Sequence, residues 1–391
     1  MADMRQLKYD DKSKILTLCY GKKLKRSVIG VYFRNGVFGE TNDNYGISYL
    51  TDQLLFEHLC DYNFGCYTDI KLHTFYGYTF ILIKCNNSDL NRVFGLLDDA
   101  LDSFDPGKYD LELIKNHQNK RIQSSVVNIT DKLLCDFYAN DRFLLPIAGT
   151  LQGISGLTAS DLRKWFLHRT GIDRNICISM PCGVAPVIND RSAAVKDDKK
   201  PQIFGCKNFS AVTDVCSNGE TELAFAVALT GDNAVVAELL SGILRERIKE
   251  AVAAYAGVLC EIYVCYDYGT PRLTAVVCVP SENKDSVKSD ILKLLRNYDW
   301  ISDEMLSDAK SKVLCEYREI FEDAYEANEY VGWQYLCRGE ETIRYFNNCK
   351  ENVLSVSLKQ LESTRDTADG SKTQGTVQGH RGRYRVLTVK D

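Results

Sequence analysis

One order of elements occurs twice in this chain, on either side of residues 183–201, and that repetition limits the folds open to it. In the first half, 27–33 reads as a strand whose side chains alternate inward and outward, and a helix follows within 42–69. Residues 72–85 then read as a long strand, 87–101 as a helix capped by Ser88, and 113–126 and 131–138 as further helices, with 175–180 closing the half as a strand. In the second half, 222–229 reads as a strand and 233–249 as a helix. Residues 260–268 and 274–279 read as a hairpin turning around Gly269 and Pro271, and 284–297 and 302–323 as helices. Residues 355–361 read as helical and 384–389 as a last strand. The two halves share this order rather than visible identity. Between them, Pro186, Pro201 and the charged run 196–200 mark a linker. The 391 residues suit about two to four domains. Grouped strands followed by runs of helices predict an α+β chain of two similar domains.

The helix within 42–69 carries the chemistry most worth testing. A turn at Asn44, Tyr45 and Gly46 precedes it, and Leu50, Leu54, Leu55 and Leu59 recur at helical spacing. Tyr49, Asp52 and Gln53 stand at i, i+3 and i+4 and so share a face. A catalytic zinc helix needs two imidazoles there and a carboxylate beside one of them to activate water. This face offers a phenol, a short carboxylate and an amide. A phenol with a pKa of about 10 is rarely ionised at neutral pH, and an amide is a weak neutral donor. The five histidines are His58, His73, His117, His168 and His380, and no two are spaced i, i+4.

The frame around those positions resembles the pitrilysin-type (M16, inverzincin) metallopeptidases, whose motif reads roughly G-x-x-H-x-x-E-H-x-x-F. Gly39, Glu40, residues 44–46 and residues 48–56 carry the likeness. Set on Gly46 and Phe56, the first His of the motif falls at Tyr49, its Glu at Asp52 and its second His at Gln53. The segments 31–40, 65–74 and 149–166, with Asp161 and Leu162, extend it. The family's third ligand is a Glu on a later helix, here about 108–126, and the resemblance places Gln123 there. In a second register Leu54, Glu57 and His58 match H-x-x-E-H with its first His missing. Either register lacks a ligand, and a catalytic zinc takes three from the protein. In the second half, Arg247 and Tyr255 lie in LRERIKEAVAAYAG, which resembles the family segment whose Arg and Tyr reach the substrate carbonyl in the partner domain's site. Both side chains suit donation to a developing oxyanion. The spacing is one residue longer than in the family, and Ala253 and Ala254 replace its Gly-Leu.

The resemblance implies two homologous domains, 1–183 and 205–391, joined by a linker at 184–204. Each would be a mostly antiparallel sheet packed with helices, and the two would face each other as a clam-like chamber. It implies a non-catalytic subunit of a heterodimeric zinc metallopeptidase that processes small peptides, ribosomally made precursors among them. Zinc is then expected in the partner subunit and not in this chain. Substrate peptides in the family add as an extra strand to a sheet edge, a role open to 72–85. One alternative is a stand-alone peptide-binding homodimer without peptidase activity. Another is an active hydrolase with an unfamiliar metal site using Glu57 or His58.

Composition narrows the classes further. With 48 basic and 53 acidic residues and no basic stripe, nothing points to nucleic acid. No apolar run approaches the length of a membrane span. The start, MADMRQLKYDDKSK, is polar and lacks the apolar core of a signal peptide, so the chain reads as cytoplasmic. The fifteen cysteines include no C-x-x-C pair and read as buried free thiols of a reducing compartment. Residues 366–383 are rich in Gly, Thr and Gln and read as a loop.

Overall fold

A computed structural model of the chain describes all residues except 1–3, 11–14, 35, 66, 173, 185–209, 218–219, 229–233, 256–258, 266–271, 297, 363–384 and 389–391. The linker, the turn at Gly269 and Pro271 and the loop 366–383 therefore lie outside or mostly outside the described residues. The elements run β1 (Met4–Asp10), β2 (Ile15–Tyr20), β3 (Arg26–Arg34), α1 (Ile47–Cys60), β4 (Asp69–Thr74), β5 (Tyr78–Asn86), α2 (Leu90–Ser103) and α3 (Leu111–Gln123). Next come α4 (Ile129–Tyr138), α5 (Leu151–Ser155), α6 (Ala159–Ile172), β6 (Arg174–Pro181), β7 (Ser210–Ser217), β8 (Glu220–Ala228) and α7 (Ala234–Ala253). The chain continues through β9 (Leu259–Cys265), β10 (Arg272–Pro280), α8 (Lys284–Arg296), α9 (Asp303–Glu322), α10 (Ala324–Arg338), α11 (Glu340–Asn347), α12 (Cys349–Ser355) and β11 (Arg385–Thr388).

The chain divides into two compact units. The first holds Met1–Val126, Leu145–Pro201 and Tyr317–Asn348, and the second holds Val127–Leu144, Gln202–Glu316 and Cys349–Asp391. The units are thus not consecutive stretches of chain, unlike the division at 184–204 expected from the sequence. A helical segment of each half packs within the other unit.

Among the described residues the first unit has one six-stranded sheet, ordered β1-β2-β6-β3-β5-β4. It is antiparallel except where β2 runs parallel to β6. One face carries the core: Ile29, Val31 and Phe33 of β3 and Ile81 and Ile83 of β5 meet Leu50, Leu54 and Leu55 of α1, Val93 and Leu97 of α2, and Leu162 and Phe166 of α6. The other face of the sheet receives α10. There Asn328, fully buried, donates from Nδ2 to the carbonyl of Cys177 (2.9 Å) and to Oγ of Ser179 (3.1 Å), while the Tyr32 hydroxyl donates to its backbone carbonyl (2.6 Å). Helix and sheet approach closely only because Gly30 and Gly332 lack side chains. A Cβ on Gly332 would stand 2.2 Å from the Tyr32 ring, and one on Gly30 2.2 Å from Oδ1 of Asn328.

The long strand read over 72–85 is in fact two strands, β4 and β5, joined by a tight turn in which Phe75 N–H donates to the Tyr78 carbonyl (2.8 Å). β5 lies inside the sheet, and β4 is its terminal strand. β1 and the helices α10 to α12 have no counterpart in the sequence reading.

The second unit repeats the strand–helix–hairpin–helix plan read from the sequence, with β8, α7, β9–β10 and α8 following the order of β3, α1, β4–β5 and α2. Its sheet runs β11-β7-β8-β10-β9 among the described residues. Leu239, Leu240, Ile243 and Leu244 of α7 and Val287 and Ile291 of α8 are buried with Leu223, Phe225, Ala275 and Val277 of the sheet.

The described cysteines are free thiols. Cys19, Cys85 and Cys177 are buried as expected, but Cys60, Cys182 and Cys315 are exposed.

Candidate functional site

Helix α1 starts at Gly46, whose φ of 109° is a left-handed conformation open to glycine and strained for other residues. No side chain in the usual capping position bonds the first turn. Instead the buried Glu40 reaches back, accepting from Gly46 N–H and Ser48 N–H, each at 2.8 Å. A carboxylate there satisfies orphan donors and lies at the positive end of the helix dipole. Gln118 of α3 fixes the same junction, its Nε2 donating to the carbonyls of Gly46 (3.1 Å) and Ala148 (2.5 Å). These bonds set α1 against α3.

Between the two helices lies an open cleft of about 690 Å³. Tyr49, Gln53 and Glu57, at i, i+4 and i+8 on α1, form one wall. Ile114, His117, Gln118, Lys120 and Arg121 of α3, with Ser124 just beyond it, form the other. The guanidinium of Arg121 lies 5.3 Å from the centre of the Tyr49 ring. Burial pushes the Tyr49 phenol above its usual pKa, and the neighbouring Arg121 opposes that shift only in part. Tyr49 therefore enters the cleft as a neutral phenol at physiological pH.

Asp52 does not share this wall. It turns to the other side of α1 and is fully buried. Its Oδ1 accepts from Arg169 of α6 at 2.6 Å, and its Oδ2 accepts from the hydroxyls of Thr74 (2.7 Å) and Thr79 (3.0 Å). The Arg169 side chain is likewise shut off from solvent and rests 5.1 Å from the centre of the Phe33 ring. A carboxylate held by three donors in this way joins α1 to β4, β5 and α6, and it has no access to a water in the cleft.

The remaining expected residues fall elsewhere. Gln123, expected as the third-ligand counterpart, is exposed at the C-terminal end of α3 and is not among the residues lining the cleft. Successive helix residues are rotated by about 100°, and Lys120, Arg121 and Ser124 occupy the inward phase. His58 cannot serve the second register. Its Nδ1 is bonded to the Tyr109 hydroxyl (2.7 Å) and its Nε2 to the Ala100 carbonyl (3.0 Å), and the ring packs edge-on against Phe104. Burial pushes its pKa below the ordinary 6.5. In the second unit, Arg247 pairs with Glu250 and lies 5.8 Å from the Trp300 ring centre. Tyr255 donates to Asp290 at 2.8 Å. The residues that sequence reasoning missed are Arg169, Lys120, Arg121 and Gln118.

The cleft does not fit a zinc ion. Its candidate donors are the neutral phenol of Tyr49, the Gln53 amide, Glu57 and His117, and two cations, Lys120 and Arg121, share the space. Fixed positive charges beside a divalent cation oppose its binding, and one imidazole with one carboxylate falls short of the three-ligand set. Among the described residues no three His, Cys, Asp or Glu side chains gather as a metal site requires.

No family model matches the sequence, and no curated protein matches it. Solved structures do match it. A chain of complex III2 from Candida albicans superposes with a TM-score of 0.71 at 14% identity, covering 93% of this chain and 92% of that one. The inactive domain of an M16 peptidase from Pseudomonas fluorescens gives 0.68 at 13% identity over 93% and 94%. A protease from Helicobacter pylori gives 0.66 at 14% over 94% and 96%. The chain therefore has the fold of M16-like peptidases, in agreement with the resemblance read from its sequence, and the likeness extends over nearly its full length. In the register that the sequence resemblance gives, the positions of the metal motif hold Tyr49, Asp52 and Gln53.

Proposed function

We propose that this chain is the non-catalytic subunit of a heterodimeric peptidase whose other subunit is an M16-type protein carrying zinc. In this reading its two units face each other and supply one wall of a chamber in which small peptides, ribosomally made precursors among them, are cut in the cytoplasm. Arg247 and Tyr255 contribute to the partner's site by exchanging Glu250 and Asp290 for substrate. One observation carries the reading: an M16-like fold kept almost end to end, with its base position buried against Arg169 and its ligand face turned to Arg121 and Lys120. Two similar structures agree with it, one an inactive M16 domain and one part of a larger complex. The terminal strand β4 offers backbone donors and acceptors with no strand partner among the described residues, as peptide addition needs.

Coexpression with a zinc-bearing M16-type subunit tests the proposal. The expected result is a one-to-one complex on a sizing column that cleaves peptides, with neither subunit active alone and a chelator stopping the reaction. Chelator-sensitive cleavage by this chain alone refutes it. A homodimer that binds peptide and ignores every such subunit selects the stand-alone binding protein instead.

A further inference from the structure

The cleft between α1 and α3 has lost the chemistry of a metal site without becoming inert. Two features make it a receptor. First, Lys120 and Arg121 give it two fixed positive charges against the single carboxylate of Glu57. Among the described residues neither cation is paired with an acid, Arg121 being engaged only by Tyr49. Second, Gln118 is 2% exposed, and its Oε1 has no hydrogen-bond partner. The amide is held in that orientation because its Nε2 already donates to two carbonyls, leaving the oxygen as the free end. A buried acceptor left unsatisfied is costly, and a ligand N–H would remove that cost.

The two features together select a ligand. It must carry an anion for Lys120 and Arg121, and at least one donor for Gln118 Oε1, Gln53 or Glu57. A phosphate dianion carries at most one O–H donor and, with twice the charge of a carboxylate, would be repelled more strongly by Glu57. A metal cation is opposed by both basic residues. The end of a peptide has both parts, a terminal carboxylate and backbone N–H groups one and two residues before it. A cleft of about 690 Å³ falls in the ordinary range for small-ligand sites, and Ile114 adds an apolar contact for a side chain. We infer that this cleft seats the C-terminal carboxylate of a peptide, with Lys120 and Arg121 on the carboxylate and Gln118 Oε1 accepting from the chain. The inference rests on the proposed peptide-handling role and gives it a direction, since the bound end fixes which part of the substrate continues away from α1.

The test uses the full chain and N-acetyl-Ala-Ala-Leu, compared with the same peptide as its C-terminal amide, by calorimetric titration. The acid form is expected to bind at millimolar concentrations or better and the amide about tenfold more weakly, as loss of a charge-assisted contact implies. Raising salt weakens only the acid form. Lys120→Gln, at an exposed position where folding is not at stake, removes most of the acid–amide difference. Glu57→Gln, also exposed, has the opposite sign and tightens the acid form by relieving repulsion. Equal binding of acid and amide, no binding at millimolar peptide, or displacement by an equal concentration of inorganic phosphate overturns the inference. A chain that prefers the acid but joins no zinc-bearing subunit refutes the heterodimer and leaves this inference standing. A chain that forms the active heterodimer without preferring the acid does the reverse.

Discussion

Asp52, which the resemblance sets at the position of the family's catalytic base, gives the sharpest test of whether this site is a remnant or a rebuilt piece of structure. Replacing Asp52 by Asn keeps its shape and an acceptor for the Thr74 and Thr79 hydroxyls, but removes the charge that Arg169 meets at 2.6 Å. Arg169 has no solvent-exposed side-chain surface, so the guanidinium stays buried with only the Phe33 ring face and a 3.5 Å contact to the Thr79 hydroxyl. Breaking one side of a buried ion pair costs about 3–5 kcal/mol, whereas replacing both charges is often close to neutral. Asp52→Asn is therefore expected to lower the stability of the first unit by that amount, and adding Arg169→Met to restore most of it. Urea unfolding followed by tryptophan fluorescence in a Trp300→Phe background reads the first unit, because the other two tryptophans, Trp165 and Trp333, both lie in it. An Asp52→Asn chain within about 1 kcal/mol of the parent, or a double variant no better than the single, would refute the argument. If the single variant were stable yet stopped peptide cleavage in the heterodimer, Asp52 would be functional and the structural account wrong.

Three further outcomes follow from the same geometry. Stability should fall as pH drops below about 6.5, because burial lowers the pKa of His58 and His73, so the unfolded chain takes up those protons first; urea midpoints measured from pH 7.5 to 5 check this, and a flat profile contradicts it. Gly332→Ala should destabilise the first unit by about 1–3 kcal/mol, since its Cβ would stand 2.2 Å from a Tyr32 ring held by Asn328; an unchanged unfolding midpoint would show that α10 shifts freely. Installing both imidazoles, by Tyr49→His with Gln53→His, should not yield stoichiometric zinc by metal analysis while Arg121 and Lys120 remain, whereas adding Arg121→Glu supplies a third ligand and removes a repelling charge; tight zinc in the two-residue variant would contradict the electrostatic argument.

Much of the fold was legible because its signals are local. Leucines at helical spacing after Gly46 marked α1, and the order strand, helix, hairpin, helix was readable in the second half. The hairpin β4–β5 was read as one strand because Phe75, Tyr76, Gly77 and Tyr78 continue a β-prone aromatic run, with no Pro or Asn-Gly to announce the turn. α10 escaped notice because its first turns pack through Ala324, Ala327, Asn328 and Gly332, small or polar residues that give a weak apolar signal, although Val331, Tyr335 and Leu336 are buried further along. The unit boundaries were out of reach for a related reason: nothing in a local pattern says that a helix more than three hundred residues into the chain covers β3 and β6. Within the site, Tyr49 and Gln53 were found by spacing alone. Gln123 lies outside the cleft although Lys120, Arg121 and Ser124 line it, because a shift of one or two residues on a helix turns a side chain to a different face. The partner of Asp52 lies 117 residues away, and an Arg on a helix normally signals solvent.

These two kinds of error bear on how a fold gives up its metal. Asp52 and the cleft wall are neighbours in sequence but belong to different environments, one a sealed ion pair with Arg169 and the other an open face opposite Arg121 and Lys120. A single lost ligand would leave the rest of a zinc site recognisable as such. Here the base position has become part of the packing that joins α1 to α6, β4 and β5, and the ligand face meets positive charge from α3. The first withdraws the carboxylate that would activate water, and the second repels the ion. Restoring the imidazoles would undo neither. The α1–α3 junction is pinned by Glu40 and Gln118, neither of which depends on Asp52 or on the charges of Lys120 and Arg121, so this fold needs no metal to hold the two helices together.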